Sequence, residues 1–264
     1  MAGAPPAALR AMRMPVEQWR RGATTNDTTP DLRLTLNIPA FRLDVSERGV
    51  VSRSYAVAIG APQFRTPIGA FRIDYMVWNP WWHPPKSEWA RKEVPKAPGW
   101  MNPVGRVKMH VTDLVFLHGS PVDHSIGTAA SHACIRMHNA DAIELARLVV
   151  AHAAPLVSTT LLDSLVGDTA RTQAVDLVLS VPIDIHYELV EVKDQTLFVY
   201  RDVYRFAGKR VPNLRSSMMT ALLRSGRDTN GIRTDLVRTL TRDATRSTVR
   251  IAVDSLFTPR GTGE

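Results

Sequence analysis

Six prolines between Pro80 and Pro103, in WNPWWHPPKSEWARKEVPKAPGWMNPVG, constrain this chain more than any other stretch of it. Proline fixes φ and lacks an N–H, so this passage forms neither a long regular helix nor a central strand. Regular structure must therefore come from the segments on either side and meet across a long connection. Connections of this length in compact domains are usually functional or mobile. Trp78, Trp81, Trp82 and Trp89 are placed either to pack as a satellite apolar cluster or to face a substrate as a lid.

The flanking segments read as strands. LRLTLNI and FRLDVS alternate apolar and polar residues, and SYAVAIG is β-rich and stops at Gly60. The tripeptide ERG between the second and third is a hairpin turn. After Gly105, RVKMHV and LVFLHG are two more strands, and a loop with Gly and Ser leads into SHACIRM. NADAIELARLVVAHA is expected to be a helix capped by Asn139 or Asp141, with Ala142, Leu145, Ala146 and Val149 on one face. LVSTTLL, beyond Pro155, is expected to close the sheet. VDLVLSVPIDIHYELVEV and DQTLFVYRDVY add strands, with a turn at 193–195.

These elements define a mainly β fold with helices. The expected organisation is an arm over 1–30 with a helical patch near 14–21, a β domain over 31–206 with the Trp/Pro loop at 78–104, and a basic, partly helical extension over 207–264. The chain has no internal repeats.

Composition narrows the function classes. In 264 residues, 44% hydrophobic and 22% charged is the balance of an ordinary soluble globular protein. No run approaches the roughly 18 apolar residues of a membrane-spanning helix, so no transmembrane segment is expected. The N-terminus has no apolar run long enough for a signal-peptide core; either the protein stays inside the cell or the export segment is missing from this chain. The net charge of +8 favours anionic partners, carboxylate-rich wall polymers among them. Arginines after Lys209 are interleaved with acids and form no nucleic-acid motif, so nucleic acid is not an expected partner.

There is one cysteine, which excludes an internal disulfide and a thiolate metal cage. Cys134 lies two positions after His132 and sixteen after His118, which ends an apolar strand before Gly119. A free thiol is only slightly ionised at neutral pH, and a neighbouring imidazole that takes its proton can hold an imidazolium–thiolate pair. Backbone N–H groups around His132, Ala133 and Cys134 are placed to form an oxyanion hole. Arg136 adds positive charge that would lower the thiol pKa or bind a substrate carboxylate. Ser131 lacks a G-x-S-x-G setting and is read as a hydrogen-bonding residue. His110, His118 and His132 lack close metal-ligand spacing, so no metal and no cofactor is expected.

TPIGAF, NPVGRVKMH, HG and SHACIRM followed by a helix, in that order, resemble the catalytic domain of the L,D-transpeptidases, the YkuD-like family. The likeness covers roughly residues 32–158. NIPAFRLDV, WNPWWHPP and YELVEVKDQTLFVYRDVY look most like extra elements of the larger Gram-negative murein transpeptidases. The resemblance implies a β-sandwich catalytic domain with Cys134 as nucleophile, His118 as general acid/base held by a backbone carbonyl near Gly119, and His132 and Arg136 lining the site. His132 is the rival candidate for the catalytic base, and Ser131, Gly119 and Ala133 join Arg136 as expected substrate-binding residues. It implies peptidoglycan stem peptides as partners, in the periplasm or cell-wall space. The reaction would be acyl transfer from a tetrapeptide stem through a thioester to an acceptor amine, giving diaminopimelate–diaminopimelate cross-links. A carboxypeptidase or amidase using water, or a non-catalytic wall-binding module, are the alternatives. One position departs from the pattern: the family has glycine where this chain has Ala133. If that residue needs φ > 0, alanine costs about 1 kcal/mol there.

Overall fold

A computed structural model of the protein describes residues 31–258. The chain forms two compact units, one of Phe41–Ile185 with the residues up to Leu36, the other of Asn37–Ala40 with the residues from His186 onward.

In the first unit the alternating segments are strands, as their pattern requires. They are β1 (Leu32–Asn37), β2 (Arg42–Glu47), β3 (Val50–Ala56), β4 (Ile59–Gly60), β5 (Gly69–Trp78), β6 (Val107–Thr112), β7 (Val115–Ser120), β8 (Ala129–Ser131) and β9 (Ile135–His138). Two helices follow, α1 (Asn139–Ala153) and α2 (Thr159–Gly167), and then β10 (Gln173–His186). Eight strands make one sheet in the order β3-β2-β1-β10-β5-β6-β7-β9, and β4 pairs with β8 alongside it. The ERG turn joins β2 to β3 with Arg48 at φ 52° and Gly49 at φ 79°, the backbone that a two-residue hairpin requires.

Pairing is antiparallel from β5 through β6 to β7, and parallel from β7 to β9. One face of β6, β7 and β9 is the core: Met109, Leu117, Ile135 and Met137 are all fully buried. α1 packs on these strands and buries Ala142, Leu145, Ala146 and Val149, the expected stripe, together with Val150 and Ala153. Its expected cap is different. His138 holds the cap position without a side-chain capping bond, its ring contacting Asp123 instead, and the Asn139 side chain turns away to accept from the Arg106 N–H at 3.0 Å.

One local expectation is corrected. LVSTTLL does not close the sheet; Ser158 accepts from Leu161 N–H and starts α2, which buries Leu162 and Leu165. An N-cap serine and two leucines three apart outweigh the paired threonines. SHACIRM is followed by a helix as expected: its IRM residues form most of β9, and α1 starts at Asn139.

The second unit holds a three-stranded sheet, β11 (Val190–Lys193), β12 (Thr196–Val199) and β13 (Val249–Ala252), with β12 in the middle. The turn between β11 and β12 uses Asp194 and Gln195 at φ 49° and 57°. Two helices follow β12 in the chain, α3 (Leu214–Arg224), capped by Asn213, and α4 (Thr234–Asp243). Besides Asn37–Ala40, the unit takes the chain from His186, and residue 206 lies inside it. The expected helical patch at 14–21 lies outside the described residues.

Candidate active site

The site is built across three neighbouring strands of the first unit. Lys108 on β6 pairs with His118 on β7, and His118 pairs with Arg136 on β9. Residues paired in register point to the same face, so these three side chains form one row opposite the apolar core face. Cys134 stands two residues before Arg136, at the end of the turn that delivers β9.

That turn is held by the TPIGAF segment. Thr66, only 2% exposed, donates its hydroxyl proton to the Ala133 carbonyl at 2.9 Å and accepts from the Gly60 N–H at 2.8 Å. Gly60 must be glycine: a Cβ there would stand 2.0 Å from the Phe64 carbonyl oxygen and 3.0 Å from the Ala133 Cα. The Ala61 N–H donates to the Ser131 carbonyl, and the buried Ser131 hydroxyl donates to the Cys134 carbonyl. Ser131, 1% exposed, thereby braces the turn from inside through a hydrogen bond. Ala133 has φ 75°, so the position where the family carries glycine does demand the left-handed backbone.

The Cys134 thiol is partly exposed and lies 3.9 Å from the Leu114 carbonyl. Among the described residues no hydrogen bond joins it to an imidazole. Burial pushes the thiol pKa up, against the opposing pull of the Phe116 N–H, Arg136 and Lys108. His118 is 3% exposed, and its Nδ1 lies 2.6 Å from the Gly119 carbonyl. Burial pushes its pKa down to about 4; Arg136 and Lys108 add to the shift, and the Gly119 bond opposes it. The Gly119 contact fixes the proton on Nδ1 and leaves Nε2 as the basic nitrogen. Both directions favour a neutral thiol beside a neutral imidazole at rest, in place of the ion pair that sequence reasoning admitted. The cause is desolvation of both groups, with two cations flanking the imidazole.

Gly119 itself is enclosed: a Cβ would meet the Asn139 Oδ1 at 2.3 Å. The glycine of the HG pair is thus required by packing against the start of α1.

His132 packs against two aromatic rings. Its ring stacks on Trp89 at 3.9 Å between centroids and 14° between planes, with Phe64 at 4.5 Å on it as well. Burial, then Arg136, lowers its pKa. The Trp/Pro passage therefore divides its aromatics. Trp78 is fully buried at the end of β5, the Lys96 ammonium lies 5.1 Å from the Trp82 ring centroid, and Trp89 reaches the nucleophile turn.

The long connection is tied down at its base. Asn102 donates to the carbonyls of Pro80, Lys96 and Ala97. Arg106, 1% exposed, donates to Asn79 Oδ1 at 2.8 Å and to the carbonyls of Val166 and Asp168 at the end of α2, and its guanidinium lies 5.0 Å from the Trp100 ring centroid. Sequence reasoning missed Thr66, Asn102, Arg106 and Lys108. Thr66 was visible inside TPIGAF, and Lys108 as the one Lys or Arg of the strand VKMHVT. Nothing local marked Asn102 or Arg106.

In the second unit, His186, Glu188 and Glu191 bring potential metal ligands within 4.8 Å of one another. Both carboxylates are already engaged, Glu188 by Arg224 and Glu191 by Asn37 and Tyr200.

Strand order, turn and thiol define a mainly β domain built to present one cysteine on a braced turn beside the strand of Arg136. A family model described as the YkuD L,D-transpeptidase catalytic domain matches residues 31–172, and the chain belongs to that family. It is 30% identical over 129 residues to a putative L,D-transpeptidase YkuD of Bacillus licheniformis, covering 48% of this chain and 66% of that protein. It is 33% identical over 116 residues to the Bacillus subtilis protein of the same name, covering 44% of this chain and 59% of that one. The match thus spans less than two thirds of either relative. Among solved structures, the catalytic domain of the Enterococcus faecium L,D-transpeptidase aligns over 62% of this chain and 100% of its own, at 15% identity and a TM-score of 0.39. A Mycobacterium tuberculosis L,D-transpeptidase aligns over 60% and 58%, at 14% identity and a TM-score of 0.38.

Proposed function

We propose that the protein is a peptidoglycan L,D-transpeptidase working through Cys134, in the periplasm or cell-wall space. The observation that carries this reading is the placement of the chain's one thiol on a braced turn two residues from Arg136, the register partner of His118. In the first half-reaction the thiol loses its proton to Nε2 of His118 as sulfur attacks the carbonyl of the third stem residue, diaminopimelate. The tetrahedral intermediate collapses, His118 returns that proton to the leaving amine, and D-alanine departs, leaving a thioester on Cys134. An acceptor amine then attacks the thioester, passes its proton to His118, and the thiol is regenerated. A neutral His118 is the form this sequence needs, because only the free base can take the first proton. His132, held flat by Trp89, forms one wall of the site beside the nucleophile.

The test is purified disaccharide-tetrapeptide analysed by mass spectrometry. A cross-linked dimer with loss of D-alanine, abolished in Cys134→Ala, is the expected result. A shortened monomer without dimer would make water the acceptor and the enzyme a carboxypeptidase. A folded protein that neither turns over nor takes a carbapenem adduct on Cys134 would refute the enzymatic reading in favour of a wall-binding module.

A further inference from the structure

Lys108 has no part in the chemistry above, yet its surroundings are unusual for a strand lysine. Val107, Met109 and Val111 turn into the core, so Lys108 belongs to the opposite face, where a lysine normally extends into water. Here it folds over the sheet, with Nζ 4.8 Å from the Phe116 ring centroid, in register with His118 and one strand further from Arg136. Burial lowers the pKa of both cations, and the one acidic group that opposes this shift in each case is the Cys134 thiol. Among the described residues neither cation has an ion-pair partner, and the buried Arg136 Nε has no hydrogen-bond partner at all. Desolvated cations without a counter-charge are costly, and an anion brought between them recovers that cost. His118, neutral between them, supplies no such charge.

We propose that Lys108 and Arg136 form a receptor for a carboxylate carried by the acyl donor next to its reacting carbonyl, with Lys108 as a specificity-determining residue. Arg136 offers a planar fork and Lys108 a point charge, and together they bracket the space in front of His118 and Cys134. A tetrapeptide donor has two carboxylates near the scissile bond, the side-chain carboxylate of the third residue and the terminal carboxylate of the leaving D-alanine. The assignment of the donor rests on the acyl-transfer reading above; the anion receptor itself does not.

The one cysteine of the chain makes a direct test available, because alkylation reports on Cys134 alone. Iodoacetate is anionic and iodoacetamide neutral, and the ratio of their rates cancels any change in the thiolate fraction. The full chain should show a higher ratio than free glutathione. Lys108→Met should lower it about fivefold or more, the order expected for removing one charge several ångströms away in a partly screened site. Lys108→Arg should restore it. An unchanged ratio in a folded Lys108→Met overturns the receptor. With disaccharide-tetrapeptide, Lys108→Met should raise KM more than it lowers kcat. Amidating the recognised carboxylate should remove that sensitivity and so identify which of the two it is. Sensitivity that survives amidation of either carboxylate overturns recognition of the donor. A charge-dependent ratio in a protein that makes no cross-links would instead uphold the receptor and refute the transpeptidase reading.

Discussion

Replacing Ala133 by glycine isolates the backbone of the nucleophile turn. At φ 75° an L-residue carries a steric penalty of about 1–2 kcal/mol, which glycine escapes. Glycine also makes the unfolded chain more flexible, which costs the folded state about 0.4–1 kcal/mol. The difference predicts that Ala133→Gly stabilises the protein by about 0.8 kcal/mol, with an upper bound of about 1.6 kcal/mol. Ala133→Val should destabilise it by about 1–2 kcal/mol more than the penalty already present, since β-branched residues are genuine outliers at positive φ. Gly60 already crowds the Ala133 Cα, so the turn has little room to relax around a larger side chain. Urea denaturation of the two variants and the parent, with equal slopes, measures both shifts. A glycine variant less stable than the parent by 0.5 kcal/mol or more, on the order of the entropic cost alone, would refute the left-handed assignment. The glycine variant should also react faster with iodoacetamide, because the Cβ beside the sulfur is gone.

Three further outcomes are expected. His118 is held near pKa 4 in the folded protein against an ordinary 6.5, so the unfolded chain binds more protons between those values. Its stabilising effect is complete above about pH 6.5 and is lost as pH falls towards 4, up to about 3 kcal/mol; His118→Gln should flatten that part of the stability–pH curve. Thr66→Val removes a buried hydroxyl that accepts from the Gly60 N–H and donates to the Ala133 carbonyl while both of those backbone groups stay in place, and it should cost about 2–4 kcal/mol by denaturant titration, with slower alkylation or loss of uniform alkylation at Cys134. Trp89→Ala removes the ring stacked on His132, so its imidazole pKa, observed by NMR, should rise towards the ordinary value, with a stability loss of about 0.5–1.5 kcal/mol.

Much of the first unit was legible because its segments are periodic. β1, β2 and β6 alternate cleanly, and the apolar stripe of α1 repeats at helical spacing. The turn at Arg48–Gly49 could be read from its glycine. The 156–162 segment could not be read from composition, because its threonines favour a strand while Ser158 caps a helix; the packing of Leu162 and Leu165 decides between them. Asn139 looked like a cap and is instead a spacer wedged against Gly119, a contact between residues twenty positions apart that no local rule exposes. At the site, motif order picked out the thiol and the histidines. The row through Lys108 emerges only from strand register, and the division of the tryptophans only from where the loop returns.

The parallel pairing of β7 with β9 has a consequence for relatives of this chain. A parallel neighbour cannot be reached by a tight turn, so the chain must leave the sheet after Ser120 and travel back before it can lie beside His118. The nucleophile rides on the end of that detour, which is pinned midway where β8 meets β4. Insertions or deletions along the excursion before β8 would change the count of residues between the two motifs and leave His118 opposite Arg136. The interval between histidine and cysteine in sequence is therefore a measure of the route taken, while their alignment across the strands is the quantity held fixed.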